Sequence, residues 1–214
     1  MIRGLLAILP LIGIPVFGHR LDEYLQATTI SLENDSLHAQ MRLTPGVAVF
    51  PFTVASIDTN ADGVISEAEQ RAYAMRVLGD LSLTIDGRPL RLRLSSSRFA
   101  EPAEMKQGLG EIQLDFEADV PRSGGGSHRR LVFENHHQPR IGAYLINCLV
   151  PRDPGIRVTG QNRSADQSLY QLDYSQERVR PGPLSGGWWL WGVVIALSAR
   201  FAWLWRSSGS GDGP

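Results

Sequence analysis

Apolar and polar residues alternate with a period of two over most of the stretch from Tyr24 to Tyr174, the pattern of half-buried β-strands. Tyr24 to Leu32 is the first such run. A turn at Glu33-Asn34-Asp35-Ser36 leads to a second, in which Leu37, Ala39, Met41 and Leu43 alternate with His38, Gln40 and Arg42. Leu81, Leu83 and Ile85 form a third; Asp86-Gly87 is a two-residue hairpin signal, and Leu90, Leu92 and Leu94 are expected to return from it. Ile112, Leu114, Phe116, Ala118 and Val120 alternate with Gln113, Asp115, Glu117 and Asp119. Arg130 to Glu134, Ala143 to Val150, Ile156 to Gly160 and Ser168 to Tyr174 complete the set, with Gly124-Gly125-Gly126 in a loop before Arg130. About nine short strands separated by turns predict a mainly β fold, an antiparallel β-sandwich. Leu83, Leu92, Leu114 and Phe116 are expected to face inward, and Arg91, Arg93, Asp115 and Glu117 outward. The charged positions, Asp119 among them, read as solvated faces, with cross-strand pairing open to them.

One section departs from period two. Phe50 to Ile57 and Glu67 to Leu78 read as helices on either side of a polar loop, an insertion over residues 47–80. Pro51 suits a first helical turn. Ala68, Ala72, Met75 and Leu78 make an apolar stripe at helical spacing, expected to face the core. The twelve-residue loop runs Asp58-Thr59-Asn60-Ala61-Asp62-Gly63-Val64-Ile65-Ser66-Glu67-Ala68-Glu69. A hard cation such as Ca²⁺ takes about six to eight oxygen ligands in a flexible cage. Asp58, Asn60 and Asp62 present side-chain oxygens from alternate positions. Gly63 permits the sharp turn that brings the chain back round the ion. Val64 offers its backbone carbonyl, Ser66 ligates directly or through water, and Glu69 closes the site with both oxygens. Ile65 is the apolar position that pins the loop to the core. Ser66 to Glu69 also reads as a capping box, in which Ser66 caps the second helix and Glu69 reaches back.

Over these twelve positions the chain resembles the EF-hand family, and the resemblance implies calcium binding by Asp58, Asn60, Asp62, Val64, Ser66 and Glu69. EF-hands commonly come in pairs; one is visible here, and the lack of a second similar loop excludes a dockerin. The stretch from His19-Arg20-Leu21-Asp22-Glu23-Tyr24-Leu25 through Leu43-Thr44-Pro45-Gly46 to Asn135-His136-His137-Gln138-Pro139 resembles a group of bacterial exported EF-hand proteins. It is also similar to the exported domain preceding the membrane helices of hydrogenase/urease accessory-type proteins, although a single candidate membrane helix follows here. No molecular role carries over from that likeness.

Both ends of the chain read as membrane-related. Arg3, the apolar run Gly4 to Phe17 and the Val16-Phe17-Gly18 site make residues 1–18 a secretory signal peptide, so that the mature chain begins at His19. All five tryptophans lie between Trp188 and Trp205. As a helix that segment spans about 27 Å, close to the roughly 30 Å of a bilayer core, with Trp at each interface. Arg200 sits near enough to its C-terminal end to snorkel. Residues 19–176 are therefore expected to form an extracytoplasmic domain, followed by a linker (177–187), a transmembrane helix (188–206) and a polar tail (207–214).

Composition adds constraints rather than chemistry. The net charge is -1, so no nucleic-acid partner is indicated. Cys148 is the single cysteine, which excludes an internal disulfide and, in an apolar strand, reads as a core residue. No small-molecule substrate or nucleophilic triad is recognisable by local signature. The sequence thus points to a non-enzymatic calcium-binding module held at the membrane, with a protein partner open. An alternative is a metal-dependent enzyme or transition-metal-handling accessory protein using His19 or the His136/His137 pair. The topology predicts that the full-length protein stays with membranes after carbonate extraction and is released when the chain is truncated before Trp188; full-length protein in the soluble fraction would remove the anchor.

Overall fold

Alternation along the first two strands places their inward residues opposite one another. In a computed structural model that describes residues 22–121 and 128–177, β1 (Tyr24–Leu32) pairs antiparallel with β2 (Ser36–Pro45), and β2 pairs with β6 (Ile112–Asp119). Continuous inward rows result: Ile30, Ala39 and Phe116 in one, Thr28, Met41 and Leu114 in the next. Between β2 and β6 in sequence come α1 (Phe50–Ile57), α2 (Glu67–Gly79), β3 (Leu81–Ile85), β4 (Arg88–Pro89), β5 (Arg93–Phe99) and α3 (Pro102–Lys106). After β6 come β7 (His128–Asn135), β8 (Gly142–Cys148), β9 (Ile156–Arg163) and β10 (Leu169–Gln176).

The strands form two five-stranded sheets, in the orders β5-β6-β2-β1-β8 and β4-β3-β7-β10-β9. In the second sheet Leu83, Phe133 and Tyr170 form one inward row and Ile85, Leu131 and Leu172 another. Residues from both sheets and from α2 join a single buried apolar cluster, as a mainly β, sandwich-like chain requires. One pairing departs from the expected antiparallel pattern: β8 lies parallel to β1. Parallel neighbours need a crossover rather than a tight turn, and here the chain passes through the second sheet between them.

The hairpin signal holds, and its expected return strand does not. Asp86 and Gly87 have φ values of 54° and 73°, the positive pair that a type I′ turn demands. The returning strand is only Arg88–Pro89, joined to β3 by two residue pairs. The chain then leaves the second sheet, and Arg93–Phe99 pairs with β6 in the first. Leu90, Leu92 and Leu94 therefore bridge the sheets and are half-buried. Leu83, Leu114 and Phe116 are buried as expected, with Arg91 and Arg93 exposed. Arg93 makes a two-pronged ion pair with Asp119 at 2.6 and 3.1 Å. Both partners are open to water, which screens the pair, so it contributes little to stability.

The helix–loop–helix is the connection that carries the chain from β2 in the first sheet to β3 in the second. Pro51 stands in the first turn of α1, as its lack of an N–H favours. Helix α2 is rotated relative to the expectation from its alanines. Tyr73, Ala74 and Val77 are buried, whereas Ala68, Ala72 and Met75 face solvent. Tyr73 brings a large ring together with a hydroxyl that finds partners in the core, and with Ala74 and Val77 it turns this face inward. Helix α3 has a sequence cue in Pro102 at its first turn and Met105 buried at its end.

Residues 1–21, 122–127 and 178–214 lie outside the described residues, and with them the signal peptide, His19, the triple glycine, most of the linker and the terminal membrane segment. Among the described residues no helix is long and apolar enough to cross a membrane. Phe116 is 1% exposed between Ala39 and Leu94 in its row, so Phe116→Ala should lower stability by about 3–5 kcal/mol in urea unfolding. A loss below about 1 kcal/mol would put this side chain at the surface.

Candidate metal centre

Ser66 starts the site because its extended backbone and short hydroxyl make it an N-cap. Its Oγ accepts from the Glu69 N–H at 3.3 Å, and Glu69 Oε2 accepts from the Ser66 N–H at 3.0 Å and the Ser66 hydroxyl at 2.8 Å. Both halves of the predicted capping box are thus present. Glu69 Oε1 crosses the loop to accept from the Thr59 N–H at 2.8 Å, the Thr59 hydroxyl at 3.1 Å and the Asn60 N–H at 3.4 Å. The side chain that belongs to the first turn of α2 therefore fastens the two ends of the loop together. The Ser66 hydroxyl and N–H, with Thr59 adding to them, lower the Glu69 carboxyl from its ordinary 4.5 to about 2. At neutral pH it is an anion with no proton to release.

The front of the loop is arranged by its own backbone. Asp58 accepts from the N–H groups of Asp62 (3.2 Å) and Gly63 (2.9 Å). Asn60 Oδ1 accepts from Asp62 N–H at 3.1 Å, and Asp62 Oδ1 accepts from Val64 N–H at 2.8 Å. Ala61 and Gly63 have φ values of 56° and 82°; Gly63 adopts this region without the cost a Cβ brings. The three side chains that alternate in sequence are consequently turned toward the same stretch of backbone amides. Ile65 is half-buried and packs on the core, and the Val64 side chain is exposed. Every side-chain donor here is an oxygen, and three of the groups are carboxylates, a set that fits a hard divalent cation. As held in this structure the carboxylates do not converge: among the described residues no three His, Cys, Asp or Glu side chains form a metal cluster. Glu69 is committed to Ser66 and Thr59 instead.

One turn beyond Glu69, Tyr73 anchors the same helix in a buried polar network that period-two reading does not foresee. Its hydroxyl lies 2.8 Å from Tyr24 Oη and 2.9 Å from His137 Nε2, while His137 Nδ1 lies 2.8 Å from Asp80 Oδ2. A carboxylate only accepts, so Nδ1 of the neutral imidazole carries the hydrogen. Nε2 then accepts from Tyr73, and Tyr73 accepts from Tyr24. The His137 backbone is held as firmly: its N–H donates to Asn135 Oδ1, and its carbonyl accepts from Gln26 and Tyr144. Gln26 also accepts from Asn135 at 2.9 Å. The one sequence cue was Gln26, a polar residue at an inward position of β1.

The histidine pair expected to act together is split. His136 is exposed and bonded to Glu134 at 2.9 Å, whereas His137 is 1% exposed with both ring nitrogens engaged. Cys148 ends β8 half-buried at the margin of the core rather than within it; burial pushes its thiol up to about 11. The chain matches no protein-family model, no curated protein and no solved structure.

Burial lowers the His137 imidazole below its ordinary 6.5, and Asp80 opposes that only in part. The folded protein therefore resists protonation more than the unfolded chain does. Its contribution to stability is complete above the unfolded value and is lost as the pH falls through the folded one. The thermal midpoint should therefore fall as the pH drops below about 6.5. His137→Gln should lower the midpoint throughout and flatten that dependence; an unchanged slope would assign the effect to other groups.

Proposed function

We propose that this chain is a calcium-binding module without enzymatic activity, exported and held at the membrane by its C-terminal segment. The observation that carries the reading is the fastening of Asp58, Asn60 and Asp62 by successive backbone amides at the entry to a helix whose first turn bears Glu69. Asp58, Asn60 and Asp62, the Val64 carbonyl, Ser66 and Glu69 would hold the ion. Calcium would supply a divalent charge that draws these oxygens inward.

The chain's own part is an exchange at Glu69. Its carboxylate gives up the hydrogen bonds from Ser66 and Thr59 to become a ligand, and losing that half of the capping box opposes binding. That cost, with only three carboxylates and no second hand among the described residues, favours modest affinity, near the roughly 10⁻⁴–10⁻³ M of extracellular modules. An exported domain meets calcium at such levels. At about ten times the dissociation constant, binding adds roughly 1.4 kcal/mol to folding, enough to tighten the loop but not to make folding depend on the ion.

Thermal unfolding with calcium and with chelator tests the reading. Wild type should gain a few degrees with calcium, about what 1.4 kcal/mol gives in a domain of this size. Glu69→Gln should lose most of that gain, and Asn60→Asp should enlarge it. Equal stabilisation of wild type and Glu69→Gln would show that this loop is not the site.

A further inference from the structure

The rotation of α2 leaves a groove of about 760 Å³ between its outer face and β5. One wall is helical, with Arg71, Met75 and Leu78; the other is residues 91–97. Residues 93–97 of this wall belong to β5, and side chains of consecutive strand residues point to opposite faces. A space lined by all of them runs along the strand's edge rather than over one face. That edge has no strand partner: among the described residues β5 is the outermost strand of its sheet, pairs only with β6 and has α2 beside it. Alternate residues of an edge strand turn their N–H and C=O groups away from the one neighbour they have. An open edge beside a helix is the geometry in which an extended peptide adds as a further strand, with side-chain pockets supplied by the helix.

The character of the walls restricts the occupant. Met75 is 50% exposed, and Leu78 and Leu92 are half-buried, giving apolar contacts at intervals. Arg71 and Arg91 make no ion pair with any described residue, and Glu67 is the one acid in the lining. We propose that this groove binds an extended segment of another protein, about seven residues long, in which apolar and acidic residues alternate. The backbone of the segment pairs with β5, its apolar side chains meet Met75, Leu78 and Leu92, and its carboxylates meet Arg71 and Arg91.

Charge also disfavours other occupants. The chain's segments outside the described residues contain one acid, Asp212, and the linker brings Arg178 and Arg180. The bulge between Leu94 and Ser96 twists this edge, which guards against flat pairing with a like strand.

The test uses the full chain in detergent with chelator present, so that its outcome is separate from that of the calcium loop. A displayed library of random peptides is selected on the protein, and the recovered sequence is made as a synthetic peptide. The selected peptides should converge on acidic–apolar alternation and bind saturably. The double reversal Arg71→Glu with Arg91→Glu should raise the dissociation constant at least about tenfold. Methylating backbone nitrogens of the peptide should weaken binding in one alternating register and not in the other. Met75→Glu gives an independent reading through the helical wall, should the double variant fold poorly. The proposal is overturned by selected peptides that are basic or show no common pattern, by binding indifferent to backbone methylation, or by a dimer of the chain that Arg91→Glu disperses.

Discussion

The chain of hydrogen bonds from Tyr24 through Tyr73 and His137 to Asp80 determines where α2 lies, and the loop and the groove follow from that position. Tyr24 is on β1 of the first sheet, Asp80 precedes β3 of the second, and His137 follows β7. Each group is an acceptor or donor for the next, so removing one orphans its neighbours at about 1–3 kcal/mol for each buried group. Helix α2 alone has no such hold. Its apolar face is three residues wide, and the loop before it is exposed. Fixing Tyr73 fixes the helix rotation, which sends Glu69 toward Thr59 on one side and Met75 toward solvent on the other.

The crossover role of the helix–loop–helix makes this hold more than local. It is the path by which the chain changes sheet, and Arg76 on α2 donates to the Ser56 carbonyl near the end of α1 at 2.8 Å. The two helices therefore brace each other across the loop while Glu69 ties its ends. A displacement of Glu69 acts on a helix already fixed one turn later. Its consequences are confined to the loop and the first turn of α2, consistent with the modest affinity argued for the proposed site.

Strands β1, β2, β3 and β6 were legible because each buries one face only, and burial on one face enforces period two. The loop and its cap were legible because their hydrogen bonds close within twelve residues, so spacing alone specifies them. What failed was non-local. The alternation of Leu90, Leu92 and Leu94 is genuine, yet the run is shared between two sheets, and nothing within it marks the crossing. The parallel neighbour of β1 is more than a hundred residues distant, and no local pattern encodes it. The His136-His137 pair looked like one unit; the backbone turn that buries one and exposes the other is held by Asn135 just before it and by Gln26 and Tyr144 from other strands.

The misread face of α2 is the more instructive failure, since a stripe of alanines and methionine at helical spacing is the common signature of a buried face. Here the competing stripe of Tyr73 and Val77 wins because an aromatic ring offers far more area than an alanine, together with a hydroxyl that the core can satisfy. Ala68, Ala72 and Met75 of the losing stripe remain at the surface, beside an end strand and two arginines that form no ion pair with a described residue. A helix that fails to bury its second apolar face against its own sheets keeps that face for contact with something else. The proposed groove and the oxygen-lined loop thus adjoin at the first turn of one helix, where Glu67 and Ala68 belong to both, and both depend on the rotation that Tyr73 imposes.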